Sequence, residues 1–288
     1  MNALLLTGPT GFVGRNALAE LAGGTFDVVA VCRRPDPDIA SFARWEAADL
    51  MNSAQVRELV ARVKPRYLMH LAWCAGGREY RVDPANEQWR EASIALAHEF
   101  FAHGGVRAVF AGTSAEHEAQ ARPTLYAQSK AAAASGMAAA ARAHRAEFAW
   151  GRIFLPYGPF DAPHRFVPSV IDALLAGHIA HCSPGRQIRD FVHVADAGRA
   201  LIDLLGSQVQ GPADIGTGIG TSVRDAAEQI AAHIGTPDLL RFDRPAPEDE
   251  SEKLVAAPHE LLELGWRPRF LQDGLAQTVA WHRARIAA

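Results

Sequence analysis

Short, unbroken apolar runs alternate with amphipathic stretches through the first half of this chain. ALLLT (3–7) and DVVAVC (27–32) are two such runs, followed by YLMHLAW (67–73), RAVFAGTS (107–114) and EFAWGRIF (147–154). Apolar runs of this length without polar alternation predict strands buried on both faces. Between them, apolar residues recur at helical spacing. GRNALAELAGG (14–24) ends on two glycines, and NSAQVRELVARVKP (52–65) opens on a capping Asn or Ser and closes on Pro. WREASIALAHEFFAHGG (89–105) and TLYAQSKAAAASGMAAAARAHR (124–145) predict longer helices. This β–α alternation predicts a parallel sheet with helices on both faces.

After residue 155 the texture changes. LPYGPFDAPHRFVP is rich in Pro and Gly and shows no strand pattern, and SVIDALLAGH (169–178) predicts a helix. QIRDFVHVADAGRALIDLL (187–205) predicts a short strand entering a helix, ADIGTG (213–218) a buried strand, and TSVRDAAEQIAAHIG (221–235) a capped helix. Two more helices are expected around 258–264 and 271–285, beyond an exposed RPAPEDE loop.

Composition narrows the function classes. The net charge of -3 over 288 residues, with no long run of one sign, argues against nucleic acid or an anionic membrane as partner. No apolar run reaches the ~18 residues of a membrane span. The start of the chain has no basic leader, so a signal peptide is not expected. Cys32, Cys74 and Cys182 have neither metal-ligand spacing nor a disulfide framework. The expectation is a soluble, cytoplasmic protein without a bound metal.

TGPTGFVG (7–14) carries the first chemistry. Gly8, Gly11 and Gly14 follow a buried strand and open a helix. In that context the first glycine permits a tight turn, the second a close approach of pyrophosphate, and the third close helix–strand packing. The helix start then offers its free N–H groups to phosphate oxygens. Where a carboxylate would take the ribose hydroxyls at the end of the second strand, the chain has Cys32, Arg33 and Arg34. Two guanidiniums suit a 2′-phosphate, hence NADP rather than NAD, unless they are simply solvated. Asp49, ending a short strand, is placed to bond the adenine amine.

Thr113, Tyr126 and Lys130 carry the second. A spacing of four puts Tyr126 and Lys130 on one helix face. A nearby ammonium favours the phenolate and brings a phenol toward the working range of a proton shuttle. A Thr113 hydroxyl can then bond a substrate oxygen.

The chain resembles the extended short-chain dehydrogenases/reductases, the NAD-dependent epimerase/dehydratase group that modifies nucleotide sugars. TGPTGFVG (7–14), ADL (48–50), HLAW (70–73), GTSAEH (112–117), YAQSK (126–130), GRIFLPYGP (151–159), RDFVHVADAGRAL (189–201) and ELGWRPR (263–269) occur in its order along nearly the whole chain. The resemblance implies a Rossmann-type doubly wound sheet over 1–155, extended by about 187–235, and a smaller C-terminal α/β substrate-binding lobe from 156–186 and 236–288. It implies Tyr126 as acid/base, Lys130 also on the nicotinamide ribose, and Thr113 as the substrate-positioning hydroxyl. Through its motifs it implies cofactor contacts at Thr10, Phe12, Val13, Leu50, Leu71 and Ala72, besides the residues named above. It also implies a homodimer through the two helices flanking the catalytic strand.

On the substrate side the resemblance points to a nucleotide-linked sugar, with Arg189 on its diphosphate and Ser114, Arg165 and Phe166 as further contacts. Arg189 could alternatively pair with Asp190 or Asp196, and His193 is expected to be structural. Leu155 stands where the family often has an Asn that touches sugar phosphate. A second family arginine is hard to place, because Glu248, Asp249 and Glu250 occupy its loop, leaving Arg241 or Arg244 as substitutes. A 4,6-dehydratase would need an acid pair directly after the hydroxyl residue, where the chain has Ser114 and Ala115, with Glu116 one place too far. The expectation is therefore a 4-ketoreductase of a nucleotide-linked 4-keto-6-deoxyhexose using NADP. The alternative is a 4-epimerase holding NAD, and a less favoured reading is a dinucleotide binder without turnover.

Overall fold

The computed structural model describes residues 2–34, 36–246 and 251–287. The first half runs β1 (Ala3–Thr7), α1 (Phe12–Leu21), β2 (Asp27–Cys32), β3 (Arg44–Ala47), α2 (Ser53–Val63), β4 (Tyr67–His70), α3 (Ala85–Ala102), β5 (Arg107–Thr113), α4 (Leu125–Ala143) and β6 (Glu147–Ile153). It continues through β7 (Leu155–Tyr157), α5 (Phe166–Leu175), β8 (Ala180–His181), β9 (Ile188–Arg189), β10 (Phe191–His193), α6 (Val194–Gly206) and β11 (Gly211–Ile215). The last stretch holds β12 (Thr221–Ser222), α7 (Val223–Ile234), β13 (Leu240–Arg241), β14 (Lys253–Leu254), α8 (His259–Glu263) and α9 (Leu271–Ala287). The chain divides into two compact units.

The first unit comprises Met1–Ile153, Gly198–Asp214 and His259–Trp266. Among the described residues its sheet has seven strands in the order β11-β6-β5-β4-β1-β2-β3. β1 pairs in parallel with both β2 and β4, so the chain builds outward to β3 and then returns to the other side of β1. Doubly wound sheets bind ligands at such a reversal, beyond the carboxyl ends of the strands. Leu5, Val29, Leu68, Phe110 and Trp150 from the strands meet Val56, Leu59, Leu96, Phe100 and Met137 from the helices in one core. Caps mark the helix limits. Asn52 accepts from the N–H groups of Ala54 and Gln55 at the start of α2, and Thr124 accepts from Ala127 at the start of α4.

The second unit comprises Phe154–Ala197, Ile215–Pro258 and Arg267–Ala288. Its strands are short: β10 pairs with β7, β9 lies between β12 and β14, and β13 pairs with β8. Tyr157, Val170, Ile171, Phe191, Ala227, Ile230, Leu275 and Val279 form its core. At its centre the fully buried Asp190 carboxylate accepts from the Thr217 N–H and hydroxyl, the Gly218 N–H and the Ala256 N–H. One buried charge with four donors ties three segments together.

Several boundaries differ from the sequence expectation. The strand over 67–73 stops at His70. There Leu71 donates to Thr7, and the next residue presses on the glycine loop: a Cβ on Gly8 would stand 2.6 Å from Ala72 N. α3 starts at Ala85, ahead of 89, because Pro84 has φ -56 and Asp83 accepts from Ala85 N–H. α5 begins at Phe166 and ends at Leu175, earlier at both ends than 169–178. The stretch after 155, without a strand pattern, opens on β7, whose Pro156 sits opposite Val192 of β10.

Candidate active site

The glycine loop is built as a cradle. Gly8 has φ +70, and a Cβ on Gly14 would lie 1.9 Å from Gly8 O, so neither position accepts a side chain. α1 starts with Gly11 as its N-cap, with no side-chain cap and no acid in the first turn. Its opening N–H groups, from Phe12 onward, are therefore not claimed by a capping side chain, and Thr10 and Gly11 are exposed beside them. This is the donor set a pyrophosphate needs, so the residues present fit a dinucleotide. Leu71 and Ala72 border the loop from the chain after β4.

Arg33 and Arg34 are both exposed just past β2. An acid does follow: Asp36 ion-pairs with Arg15 of α1 and accepts from Asp38 N–H. Sequence reasoning passed over both Arg15 and Asp36, although Arg15 directly follows the third glycine. Asp49 accepts from Met51 N–H in a local turn, and its own N–H donates to Gln55. Leu50 packs against the core.

Thr113 ends β5 and caps a single 3-10 turn over Ser114–Glu118. Its Oγ1 accepts from Ala115 N–H at 3.3 Å, so toward a substrate oxygen the hydroxyl would act as donor. Tyr126 and Lys130 lie one turn apart on α4, only 9% and 5% exposed. The Tyr126 ring meets Tyr80 edge-on at 4.9 Å, and its N–H donates to Arg81 O. Lys130 Nζ donates to Ala111 O of β5 at 2.7 Å and lies 3.9 Å from the centroid of the Trp73 ring. Burial pushes the Lys130 pKa down to about 7, against the opposing pull of Glu116 and then Cys74. The structure thus brings the lysine to β5 two residues before Thr113. From β2 to β5 are three strand steps, about 14 Å, so Arg33 and Arg34 stand apart from the proton-transfer groups.

Sequence reasoning left Glu116 without a role beyond excluding a dehydratase pair. Its carboxylate turns inward, accepting from Thr113 N–H at 2.8 Å and from the Trp150 indole N–H at 2.8 Å. Burial raises its pKa, opposed by those two hydrogen bonds and by the charges of Lys130 and Arg152. The T-x-x-E pattern of a capping box at 113–116 was the signal that could have found it. His70, on β4, bonds Thr7 through Nδ1 at 2.7 Å and Ser93 through Nε2 at 2.8 Å, and burial with the Lys130 charge pushes its pKa down to about 3.

The expected substrate contacts other than Ser114 belong to the second unit. Arg189 donates to Ile188 O and Ser251 O, each at 2.9 Å. Of its two expected ion-pair partners, Asp190 is taken up by the donors described above and Asp196 holds the Arg269 guanidinium. Arg165 precedes α5 as its N-cap, and Phe166 packs on Phe191 with ring centroids 6.2 Å apart. His193 is buried against Tyr157, and burial with the Arg269 charge lowers its pKa to about 4. Leu155 is 36% exposed. Arg241 donates to Asp238 O and Leu240 O, and the Arg244 backbone N–H to Cys182 O. Glu248, Asp249 and Glu250 lie outside the described residues. No helix among the described residues is long and apolar enough to cross a membrane.

Comparison with known proteins agrees with this geometry. The family model "NAD dependent epimerase/dehydratase family" matches residues 4–216. A dTDP-4-dehydro-6-deoxy-D-allose reductase from a Streptomyces species is 26% identical, over 97% of this chain and 96% of that protein. The UDP-glucose 4-epimerase of Thermotoga maritima, solved with UDP-glucose, superposes with a TM-score of 0.87 at 21% identity, covering 99% of both chains. MoeE5, solved in complex with UDP-glucose and NAD, superposes with a TM-score of 0.84 at 28% identity, again covering 99% of both. The chain belongs to the NAD-dependent epimerase/dehydratase family, extended short-chain dehydrogenases/reductases that act on nucleotide sugars, and has their Rossmann-type fold.

Proposed function

We propose that this chain is a 4-ketoreductase of a nucleotide-linked 4-keto-6-deoxyhexose with NADP as its cofactor. The observation that carries the cofactor, and with it the reaction, is the exposed Arg33–Arg34 pair after β2, where the nearest acid, Asp36, is already paired with Arg15. A 2′-phosphate would meet the two guanidiniums of Arg33 and Arg34 there. A reductase exchanges its reduced cofactor at every turnover, which suits an open, charged ribose end. The reductase similarity of the Streptomyces relative supports the same reading. Glu116 supports it too, since a carboxylate committed to Thr113 and Trp150 is not placed as an eliminating acid.

The glycine loop and the first N–H groups of α1 would hold the pyrophosphate, and Lys130 the nicotinamide ribose. The dinucleotide, when bound, supplies the hydride. Tyr126 gives its phenolic proton to the sugar carbonyl oxygen, Thr113 positions that oxygen by donating its hydroxyl hydrogen, and the Lys130 ammonium stabilises the phenolate left behind. A pure dinucleotide binder would have no use for this set. In this reading the second unit, with Arg165, Phe166 and Arg189, is the substrate-binding lobe; it takes in 187–197 and 215–235, which were expected with the Rossmann domain, and leaves 259–266 to the first unit. A homodimer through α3 and α4 and a cytoplasmic location complete it.

One observation favours a second reading. MoeE5, at 28% identity, carries UDP-glucose with NAD, the cofactor a 4-epimerase would retain. Purified protein incubated with nucleotide 4-keto-6-deoxysugars decides between them. Oxidation of NADPH, and not NADH, supports the reductase. Tightly bound NAD with isomerisation of a nucleotide hexose, and no consumption of reduced cofactor, overturns it.

A further inference from the structure

Glu116 is more than the far end of a capping box. A carboxylate turned in from a 3-10 turn loses hydration, and water is replaced here by two N–H donors and the nearby charges of Lys130 and Arg152. The Trp150 indole connects the charges: its N–H donates to Glu116 while its ring centroid lies 5.7 Å from Lys130 Nζ. The indole can sit there only because residue 112 is glycine, where a Cβ would be 2.2 Å from Trp150 Nε1. The Trp73 ring and Ala111 O also lie against the ammonium.

The other charged groups around the pair are accounted for. From β6, Arg152 approaches, but its Nε lies 2.7 Å from the Asp214 carboxylate of β11, which His117 also reaches at 3.1 Å. From β4, His70 is held by Thr7 and Ser93. The Cys74 thiol, after β4, donates to Asn86 at 3.6 Å, and burial raises its pKa. Tyr126 is on α4 itself. Arg152 thus lies against Asp214, and of the two cations that act on Glu116 Lys130 has the larger effect.

We propose that Glu116 is the internal counter-ion of Lys130 and a positioning residue for proton transfer: fixed by the Thr113 and Trp150 N–H groups, it faces the buried ammonium by way of the Trp150 indole and holds the Thr113 turn in place. This rests on the reading of Lys130 as the electrostatic partner of Tyr126. The same carboxylate thereby serves all three reacting side chains without touching substrate.

The test titrates the full chain with 15Nζ-labelled lysine by NMR, without cofactor or substrate, Lys130 being assigned from a Lys130→Arg variant. Wild-type Lys130 should titrate at about 7. In Glu116→Gln, which keeps an oxygen for both N–H donors, the midpoint should fall by about 1–3 pH units. In Trp150→Phe, which keeps a ring and deletes the N–H, it should fall by less. The alkaline limb of kcat/KM should move down with the midpoint, leaving KM for the sugar nucleotide little changed. An unchanged Lys130 midpoint in either folded variant overturns the counter-ion role. A shifted midpoint in a protein that turns over no ketosugar upholds it and overturns the reductase reading instead.

Discussion

Two stretches along the carboxyl edge of the first unit's sheet solve different problems with the same kinds of side chain. Beyond β5, a lysine, a glutamate and a tyrosine are packed among Trp73, Trp150 and Tyr80, each with assigned partners. Beyond β2, Arg33 and Arg34 stand exposed, followed by Asp36, which is locked to Arg15. Charges that move a proton must be dehydrated and held, because their effect depends on a low local dielectric and fixed geometry. Charges that only recognise another charge can remain in water and be recruited by the ligand. On the proposed reading, burial separates chemistry from selection within one sheet edge.

The contrast can be broken at its buried end first. Tyr126→Phe should lose about 10²–10⁴ in kcat while dinucleotide affinity, read by fluorescence titration, stays the same. Unchanged turnover would remove the phenol from the mechanism. At the exposed end, a combined Arg33→Ser and Arg34→Ser change should cut the preference for NADPH over NADH by about 10- to 100-fold in kcat/KM, with thermal stability intact. An equal loss with both cofactors would show that the arginines do not read the 2′-phosphate. Gly112→Ala sharpens the comparison through packing alone. Driving a Cβ into Trp150 should destabilise by about 1–3 kcal/mol in urea unfolding, and a neutral result would mean that the indole has room to move.

The smallest effect concerns His70. Its folded pKa, about 3, lies below the 6.5 of the unfolded chain, so the unfolded state binds the extra proton in between. Its contribution to stability is present above about 6.5 and declines as pH falls toward 3, by up to about 1.4 kcal/mol per pH unit. His70→Gln should flatten that part of the slope in unfolding curves taken across this window. An identical slope would show that other groups set the acid sensitivity.

Local pattern revealed most of the first unit. Leu4, Leu5 and Leu6 are fully buried because a central parallel strand has helices on both faces, and that burial is written as an unbroken apolar run. The places of Thr113 at a strand end and of Tyr126 and Lys130 one turn apart on a helix were legible in strand and helix pattern, while the roles proposed for them came from the surrounding motifs. Glu116 was not, since its fate depends on Trp150, 34 residues further on and on another strand. Nor was β7, where Pro156 hides a strand whose partner, Val192, is supplied by a distant segment. Asp36 escaped because its pairing with Arg15 crosses from the loop after β2 to α1. Distances along the chain carry no record of such meetings, whereas periodicity and caps are local.

The seam where Gly8 meets Leu71 and Ala72 matters to anyone wishing to redesign this enzyme. Side-chain volume added at Gly8 collides with the main chain of the loop that carries Trp73, so a library diversified at that position would be mostly dead before any sugar is offered. Arg33 and Arg34 are exposed, where substitutions usually cost little stability. On the proposed reading, cofactor choice is accordingly the property most open to rewriting, by a route that leaves Thr113, Tyr126 and Lys130 untouched.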